Sequence, residues 1–86
     1  MARQFKPNPE ILKRIASVFY ERGSASKTSL QLASRLRWDL SVRYLEWLLS
    51  NNYIMHLPTG NIRSYVLTQA GIEMFQKLLA FFDSMK

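Results

Sequence analysis

Cationic and aromatic side chains are concentrated in one stretch of the chain, RLRWDLSVRYLEWLL, at positions 35–49. The stretch has the periodicity of a helix and carries three arginines and two tryptophans. Guanidinium groups bind phosphates and can bridge O6 and N7 of guanine, whereas tryptophan is enriched among residues that anchor protein partners. The stretch is therefore either a helix that lies in DNA or a helix that faces another protein.

The sequence offers no comparable set of residues for catalysis or metal binding. It contains no cysteine and one histidine, His56, which excludes a disulfide scaffold, a thiolate metal site and a cysteine nucleophile. The few acidic residues form no recognisable acid/base arrangement with that histidine. We expect a protein that is not an enzyme and that uses no cofactor or metal.

The positive charge of the chain lies in its first half. The net charge is +6, and residues 1–45 carry nine of the twelve Lys and Arg residues but three of the six acidic ones. Residues 46–86 carry three of each and are neutral. A one-sided excess of cations is the footprint expected for a polyanionic partner, although net charge also favours solubility.

The segment NPEILKRIASVFYERG predicts a first helix. Asn8 can cap its start, and Gly23 can end it in the left-handed conformation. Residues 1–7 before it form a basic arm with Arg3 and Lys6, which either reaches phosphates or a minor groove or is frayed. Apolar residues spaced by three and four give the helix one buried face: Ile11, Leu12, Ile15, Val18 and Phe19.

Two further helices follow with almost no spacer between them. A cap at Ser24 or Ser26 starts a short helix, and a longer one covers about 38–51, ended by Asn51 or Asn52 in the left-handed conformation. Two helices joined by so short a turn cross at a large angle. This is the helix-turn-helix arrangement.

After these helices the pattern changes to that of a β-hairpin. The β-rich runs YIMHL and IRSYVL bound the turn residues PTGN, and Thr68 then caps a last helix. The order helix, helix, helix, hairpin, helix predicts a mainly α fold with a small β-hairpin, the winged helix-turn-helix plan. We divide the chain into the arm 1–7, a winged-helix domain 8–68 and a C-terminal dimerisation helix 69–86.

Several segments of the sequence resemble one particular group of winged-helix proteins. KTSLQLASRLRWDLSVRYLEWLLSNNYI, followed by YVLTQAG, resembles the small archaeal winged-helix DNA-binding proteins whose C-terminal helix forms an antiparallel coiled-coil dimer. The resemblance runs from about Lys27 to Phe75 and rests on KT opening the second helix, YLE-LL in the third and Y-LT--G leading into the last. It implies a third helix at the major groove of DNA and a hairpin that serves as a wing beside the phosphates.

The resemblance also implies which residues contact DNA. Lys27 and Thr28 would meet a phosphate at the start of the second helix. Arg43 is the best candidate to read a base, the other arginines would contact the backbone or base edges, and Thr59 would lie on or near the wing. The predicted DNA-binding residues are Lys27, Thr28, Arg35, Arg37, Trp38, Arg43, Asn61 and Arg63.

The aromatic residues of the third helix have two interpretations. Trp38, Tyr44 and Trp47 either wrap the small core, as aromatics at helical spacing usually do, or leave Trp38 exposed as an anchor for a partner. In the second case the chain is a protein-interaction module. It docks a partner on Trp38, Leu40 and Val42, and its basic half binds an acidic surface of that partner.

The last helix carries two apolar stripes, which is more than one small domain can cover. Ile72, Phe75, Leu79 and Phe82 form one stripe, and Met74, Leu78, Phe81 and Met85 form the other. We expect a homodimer through this helix, antiparallel as the resemblance implies. The predicted dimer residues are Met74, Leu78, Phe81, Phe82 and Met85.

Together these observations predict a homodimer that binds double-stranded DNA mostly through its phosphates, as a transcription regulator or a chromatin-organising protein. The expected partners are duplex DNA and a second copy of the chain, with no small-molecule substrate. The N-terminal residues and the short apolar runs favour neither secretion nor a membrane. The expected location is the cytoplasm, on the nucleoid.

Overall fold

The order of elements predicted for the chain is confirmed, with one short strand added. The computed structural model describes residues 5–57 and 64–84. Its elements are α1 (Pro9–Arg22), β1 (Ala25–Ser26), α2 (Lys27–Ala33), α3 (Trp38–Ser50), β2 (Ile54–His56), β3 (Ser64–Leu67) and α4 (Gln69–Ser84). The strand β1 was not predicted.

Helix α1 begins and ends at the residues that its sequence indicates. The Asn8 side chain accepts a hydrogen bond of 2.8 Å from the backbone N–H of Glu10, and Gly23 has φ 79° with its N–H bonded to the Phe19 carbonyl. The helix buries one face, formed by Leu12, Ile15, Ala16, Val18 and Phe19. This face is the largest helical contribution to the core.

Helix α2 is held at its start by a reciprocal pair of serines. The Ser26 hydroxyl accepts from the backbone N–H of Ser29, and the Ser29 hydroxyl accepts from the backbone N–H of Ser26. Ser26, one of the two predicted caps, is therefore the cap. The pair satisfies backbone groups that a helix start otherwise leaves without a partner.

Both helices of the helix-turn-helix end in the same way, with a residue at positive φ. Arg35 follows α2 with φ 57°, and Asn52 follows α3 with φ 60°. In each case the N–H of the next residue bonds to a carbonyl five residues earlier: Leu36 to Gln31 at 3.1 Å, and Tyr53 to Leu48 at 2.9 Å. The predicted left-handed terminator of α3 is thus Asn52.

The hairpin strands pair in a three-stranded antiparallel sheet of order β1-β3-β2. Ile54 lies opposite Leu67 and His56 opposite Tyr65, and the Leu57 N–H bonds to the Ser64 carbonyl at 2.8 Å where the described strands end. On the other side of β3, Ala25 pairs with Tyr65. The sheet therefore ties the segment before α2 to the hairpin.

Every helix and strand contributes residues to the core, and the three aromatic residues of α3 differ in how deeply they are buried. Tyr44 is 2% exposed and belongs to the core, whereas Trp47 is half-buried and Trp38 is 51% exposed. The interpretation that all three aromatics wrap the core is therefore wrong for Trp38. Helix α3 buries Ser41, Tyr44, Leu45 and Leu48, and Trp38, the first residue of the helix, is not among its buried residues.

Helix α4 packs against α1 and β3, and its start is fastened to the loop after α3. The Thr68 hydroxyl accepts from the Gly71 N–H at 3.1 Å and donates to the Asn52 carbonyl. A Cβ on Gly71 would overlap the backbone carbonyl of Tyr53. The start of α4 is therefore packed closely against the backbone at Tyr53.

The residues of α4 that face the core come from both predicted stripes. Phe75 is buried, and Met74 and Leu78 are half-buried against the core. The ammonium nitrogen of Lys13 lies over the ring of Phe82, 5.0 Å from the ring centre. Phe81 is 57% exposed, and Met85 lies outside the described residues. Among those residues, no helix is long and apolar enough to cross a membrane.

Candidate nucleic-acid interface

The described cations of the predicted DNA-binding set all lie on the surface of the helix-turn-helix. Lys27 and Thr28 occupy the first turn of α2, and both are exposed. Arg35 and Arg37 lie in the turn between α2 and α3, and Arg43 lies in the second turn of α3. These three arginines are also exposed. Three of these four cations, Arg35, Arg37 and Arg43, thus lie in the turn before α3 or in its first two turns, and Lys27 lies at the start of α2.

The turn that presents these arginines is closed by hydrogen bonds. The Gln31 side chain donates to the Leu36 carbonyl at 2.6 Å, and the Ser34 N–H donates to the Leu30 carbonyl at 3.0 Å. Leu36 is buried between Arg35 and Arg37. Because the turn is fixed from inside, the two exposed arginines have defined backbone positions.

One cation of the group has an acidic neighbour. Arg37 Nε lies 3.6 Å from Asp39 Oδ1, and the two side chains are 85% and 73% exposed. An ion pair this exposed contributes little to stability. Asp39 is also in the first turn of α3, where a carboxylate favours the positive end of the helix. The pair leaves Arg37 free to exchange this partner for a phosphate.

The exposed side of α3 is not uniformly basic. Asp39, Arg43 and Glu46 follow one another at helical spacing, and all three are exposed. Within the described chain, neither acid forms an ion pair with Arg43. The positive charge is therefore greatest at the start of α3, and it decreases toward Glu46. This gradient favours an approach of DNA to the start of the helix.

Trp38 stands at the first position of α3, among the arginines. Its exposed indole lies beside the half-buried Leu40 and Val42 in sequence. Leu40 also packs against the core. Of the three residues predicted to dock a protein partner, Trp38 is thus the only one that is mostly exposed in the described structure.

Tyr44 is a residue of this region whose role the sequence did not indicate. Its hydroxyl accepts a 2.7 Å hydrogen bond from the backbone N–H of Asn8, and its ring meets that of Phe5 edge-on at 4.9 Å between centres. The end of the basic arm is therefore attached to α3. The signal for this contact was one aromatic residue, Phe5, in an otherwise polar segment.

The wing is described only at its base. Three residues predicted to lie on or near the wing are outside the described residues: Asn61 and Arg63, which belong to the predicted DNA-binding set, and Thr59. At the base, His56 is exposed, and its ring contacts that of Tyr65 at 4.8 Å between centres.

A helix-turn-helix followed by a two-stranded wing defines a class of domain that typically binds DNA. The family model described as winged helix-turn-helix matches residues 9–86. The chain belongs to this family. A search of curated proteins returned no match.

Proposed function

We propose that the protein binds double-stranded DNA through the start of α3 and the turn before it, mostly by contacts to phosphates. The observation that carries the proposal is the set of exposed cations on the helix-turn-helix, Lys27, Arg35, Arg37 and Arg43, on a fold whose class binds DNA. Arginine and lysine supply most phosphate contacts in protein–DNA complexes. The proposed role is transcription regulation or chromatin organisation.

The charge gradient along α3 is the reason to expect phosphate contacts rather than extensive reading of bases. Arg43 can reach a guanine, but Asp39 and Glu46 flank it on the exposed side of the helix. Phosphates repel carboxylates that lie near a groove, and this repulsion weakens the binding of DNA. Binding that depends on cations at the helix start is strong at low salt and weak at high salt.

The test is a double variant with a control of matched charge. Arg37→Ala combined with Arg43→Ala removes two positive charges, and Lys77→Glu on α4 changes the net charge equally. Lys77 is exposed and lies on another element. The arginine variant should weaken binding to a duplex of about 20 base pairs at least tenfold, and Lys77→Glu should change it little. Fluorescence anisotropy of a labelled duplex measures both.

Equal effects of the two variants would show that only the net charge matters. Wild-type affinity in the arginine variant would remove α3 from the contact surface. Circular dichroism melting of each variant checks that the fold persists, which is expected because all three side chains are exposed.

We also propose that two copies pair through α4. The exposed ring of Phe81 and the half-buried Ile72 and Leu79 leave apolar surface on this helix, which a second helix of the same kind would cover. Met74, Leu78 and Phe82 already contact their own domain. They would contribute only the parts of their side chains that remain exposed.

Phe81→Glu tests the pairing, and Tyr20→Glu is its control. Tyr20 is an aromatic residue of similar exposure on α1. If α4 forms the interface, Phe81→Glu should convert a dimer to a monomer in sedimentation experiments, because a buried, unpaired carboxylate is costly. Tyr20→Glu should leave the dimer intact. A monomeric wild-type protein would contradict the proposed pairing.

A second candidate function is favoured by the exposure of Trp38. A large indole at the start of α3 suits a protein partner that buries it, with Leu40 and Val42 beside it. The two functions differ in what covers this ring. In the DNA complex it faces the groove, and in the alternative it faces an apolar pocket of another protein.

Acrylamide quenching of Trp38 fluorescence separates these functions. The variant Trp47→Phe leaves Trp38 as the only tryptophan. If α3 lies in DNA, saturating duplex should reduce quenching strongly. Quenching that stays as high with bound DNA as without it would favour the protein partner.

A further inference from the structure

Residues 5–8, here called the N-terminal strap, cross the side of α3 and are attached there at two points. The Phe5 ring packs edge-on against Tyr44, and the Asn8 backbone N–H donates to the Tyr44 hydroxyl. A buried tyrosine needs a partner for its hydroxyl, and the strap supplies it. The strap is therefore part of the folded domain.

Between these two points the strap presents a cation to solvent. Phe5 and Pro7 are half-buried, and Lys6 between them is exposed. The rings of Pro7 and Pro9 fix their own φ angles and restrict the residues before them, Lys6 and Asn8, to extended conformations. Lys6 therefore has little backbone freedom to lose when it binds a ligand.

The strap places an exposed cation, Lys6, on a segment that contacts α3. Tyr44, to which the strap is attached, follows Arg37 by seven residues, or two helical turns, about 10 Å along the axis. The major groove is about 12 Å wide and hardly wider than a helix, so that phosphates flank a helix that enters it. A cation fixed beside α3 can thus meet the backbone that the helix start does not reach.

We propose that Lys6 binds a DNA phosphate and that Phe5 is the residue that positions it. This inference rests on the proposed function, since it needs α3 to approach DNA. It adds one contact outside the helix-turn-helix and gives the N-terminal segment a defined role in binding.

The test compares Lys6→Ala with Lys77→Ala, which removes the same charge from α4. Loss of one phosphate contact lowers the slope of log affinity against log salt by about 0.9, and affinity at 0.1 M salt by about five- to tenfold. Lys6→Ala should show this change without a change in melting temperature. Lys77→Ala should keep the wild-type slope.

A double-mutant cycle tests the role of Phe5. If Phe5 positions Lys6, the variant Lys6→Ala should cost clearly less affinity in a Phe5→Ala background than in the wild type. A purely structural role of Phe5 would leave that cost unchanged. Pro7→Gly loosens the strap without removing the ring contact, and it replaces Phe5→Ala in the cycle if that variant does not fold.

The outcomes separate this inference from the proposed function. If the wild type binds DNA and Arg37→Ala with Arg43→Ala weakens it, but Lys6→Ala behaves like Lys77→Ala, the Lys6 contact is overturned alone. An equal cost of Lys6→Ala in both backgrounds overturns the positioning role of Phe5. Absence of DNA binding by the wild type at low salt overturns the proposed function and this inference together.

Discussion

The helix-turn-helix and α4 differ in surface charge. Around the start of α3 the exposed side chains are three arginines, one aspartate and one indole. Helix α4 belongs to the neutral half of the sequence and keeps an aromatic ring, Phe81, in the open. A basic surface favours a ligand whose binding depends on salt, whereas an apolar helix face favours a protein contact that depends on it much less.

This difference predicts that the proposed binding of DNA and the proposed pairing of two copies are separable. The two surfaces share one point of attachment, where Thr68 and Gly71 at the start of α4 meet the loop after α3. A change in exposed residues of one surface should leave the other intact. A change at the shared point should damage both.

The largest expected effect is that of Gly71→Ala. The added Cβ would overlap the Tyr53 carbonyl, and backbone cannot move aside as a flexible side chain can. The expected loss is about 3 kcal/mol of unfolding free energy, or more than about 12 °C in melting temperature. Thermal melting followed by circular dichroism measures it.

Gly23→Ala is the comparison for that variant. This glycine has φ 79° and open space around it, so its substitution strains only the backbone. Its expected cost is about 1 kcal/mol. If Gly71→Ala cost no more than Gly23→Ala, close packing at the shared point would be contradicted.

An intermediate effect, of opposite sign for stability and binding, is expected of Arg35→Gly. Arg35 holds φ 57°, a conformation that costs a residue with a side chain about 1 kcal/mol and glycine very little. The glycine variant should therefore be more stable and should bind DNA more weakly, because a cation is lost. Melting and anisotropy measure the two changes.

Asn52→Gly is the matched variant at the end of α3. Asn52 has the same backbone conformation, and asparagine tolerates it better, so the gain in stability should be smaller. It lies away from the start of α3 and should leave DNA affinity unchanged. If both variants lost the same affinity for DNA, the loss would come from the change in backbone flexibility. That result would contradict a contact between the Arg35 side chain and DNA.

The smallest effect is expected of Asp39→Asn. This change removes the partner of Arg37 and a negative charge at the helix start. DNA affinity should rise a few-fold, and stability should fall by about 0.5 kcal/mol, since a carboxylate favours the first turn of a helix. Glu73→Gln on α4 is the charge control. Weaker binding by Asp39→Asn would mean that Asp39 holds Arg37 in its contact position.

The features of the fold that depend on neighbours in sequence were predictable. The caps at Asn8 and Thr68 and the left-handed positions at Gly23 and Asn52 follow from side chains and backbone preferences within a few residues. The strand β1 was not predictable, because two residues of ordinary composition form a strand only through the presence of β3.

The parts of the site that depend on tertiary packing were not predictable. Trp38 and Tyr44 both fit an apolar helix pattern, and only the packing of the folded domain leaves Trp38, at the first position of α3, exposed and buries Tyr44. The contact of Asn8 with Tyr44 joins residues 36 positions apart. The exposure of the arginines, by contrast, was predictable because unpaired guanidinium groups are rarely buried.

The most direct test of the account is the salt dependence of DNA binding by the wild type. Anisotropy of a labelled random-sequence duplex of about 20 base pairs should be measured between 50 and 200 mM salt. Contacts to phosphates predict tight binding that weakens steeply as salt rises, with a log-log slope of about −0.9 per phosphate contact. Absence of binding at 50 mM salt would contradict it and would direct attention to a protein partner for Trp38.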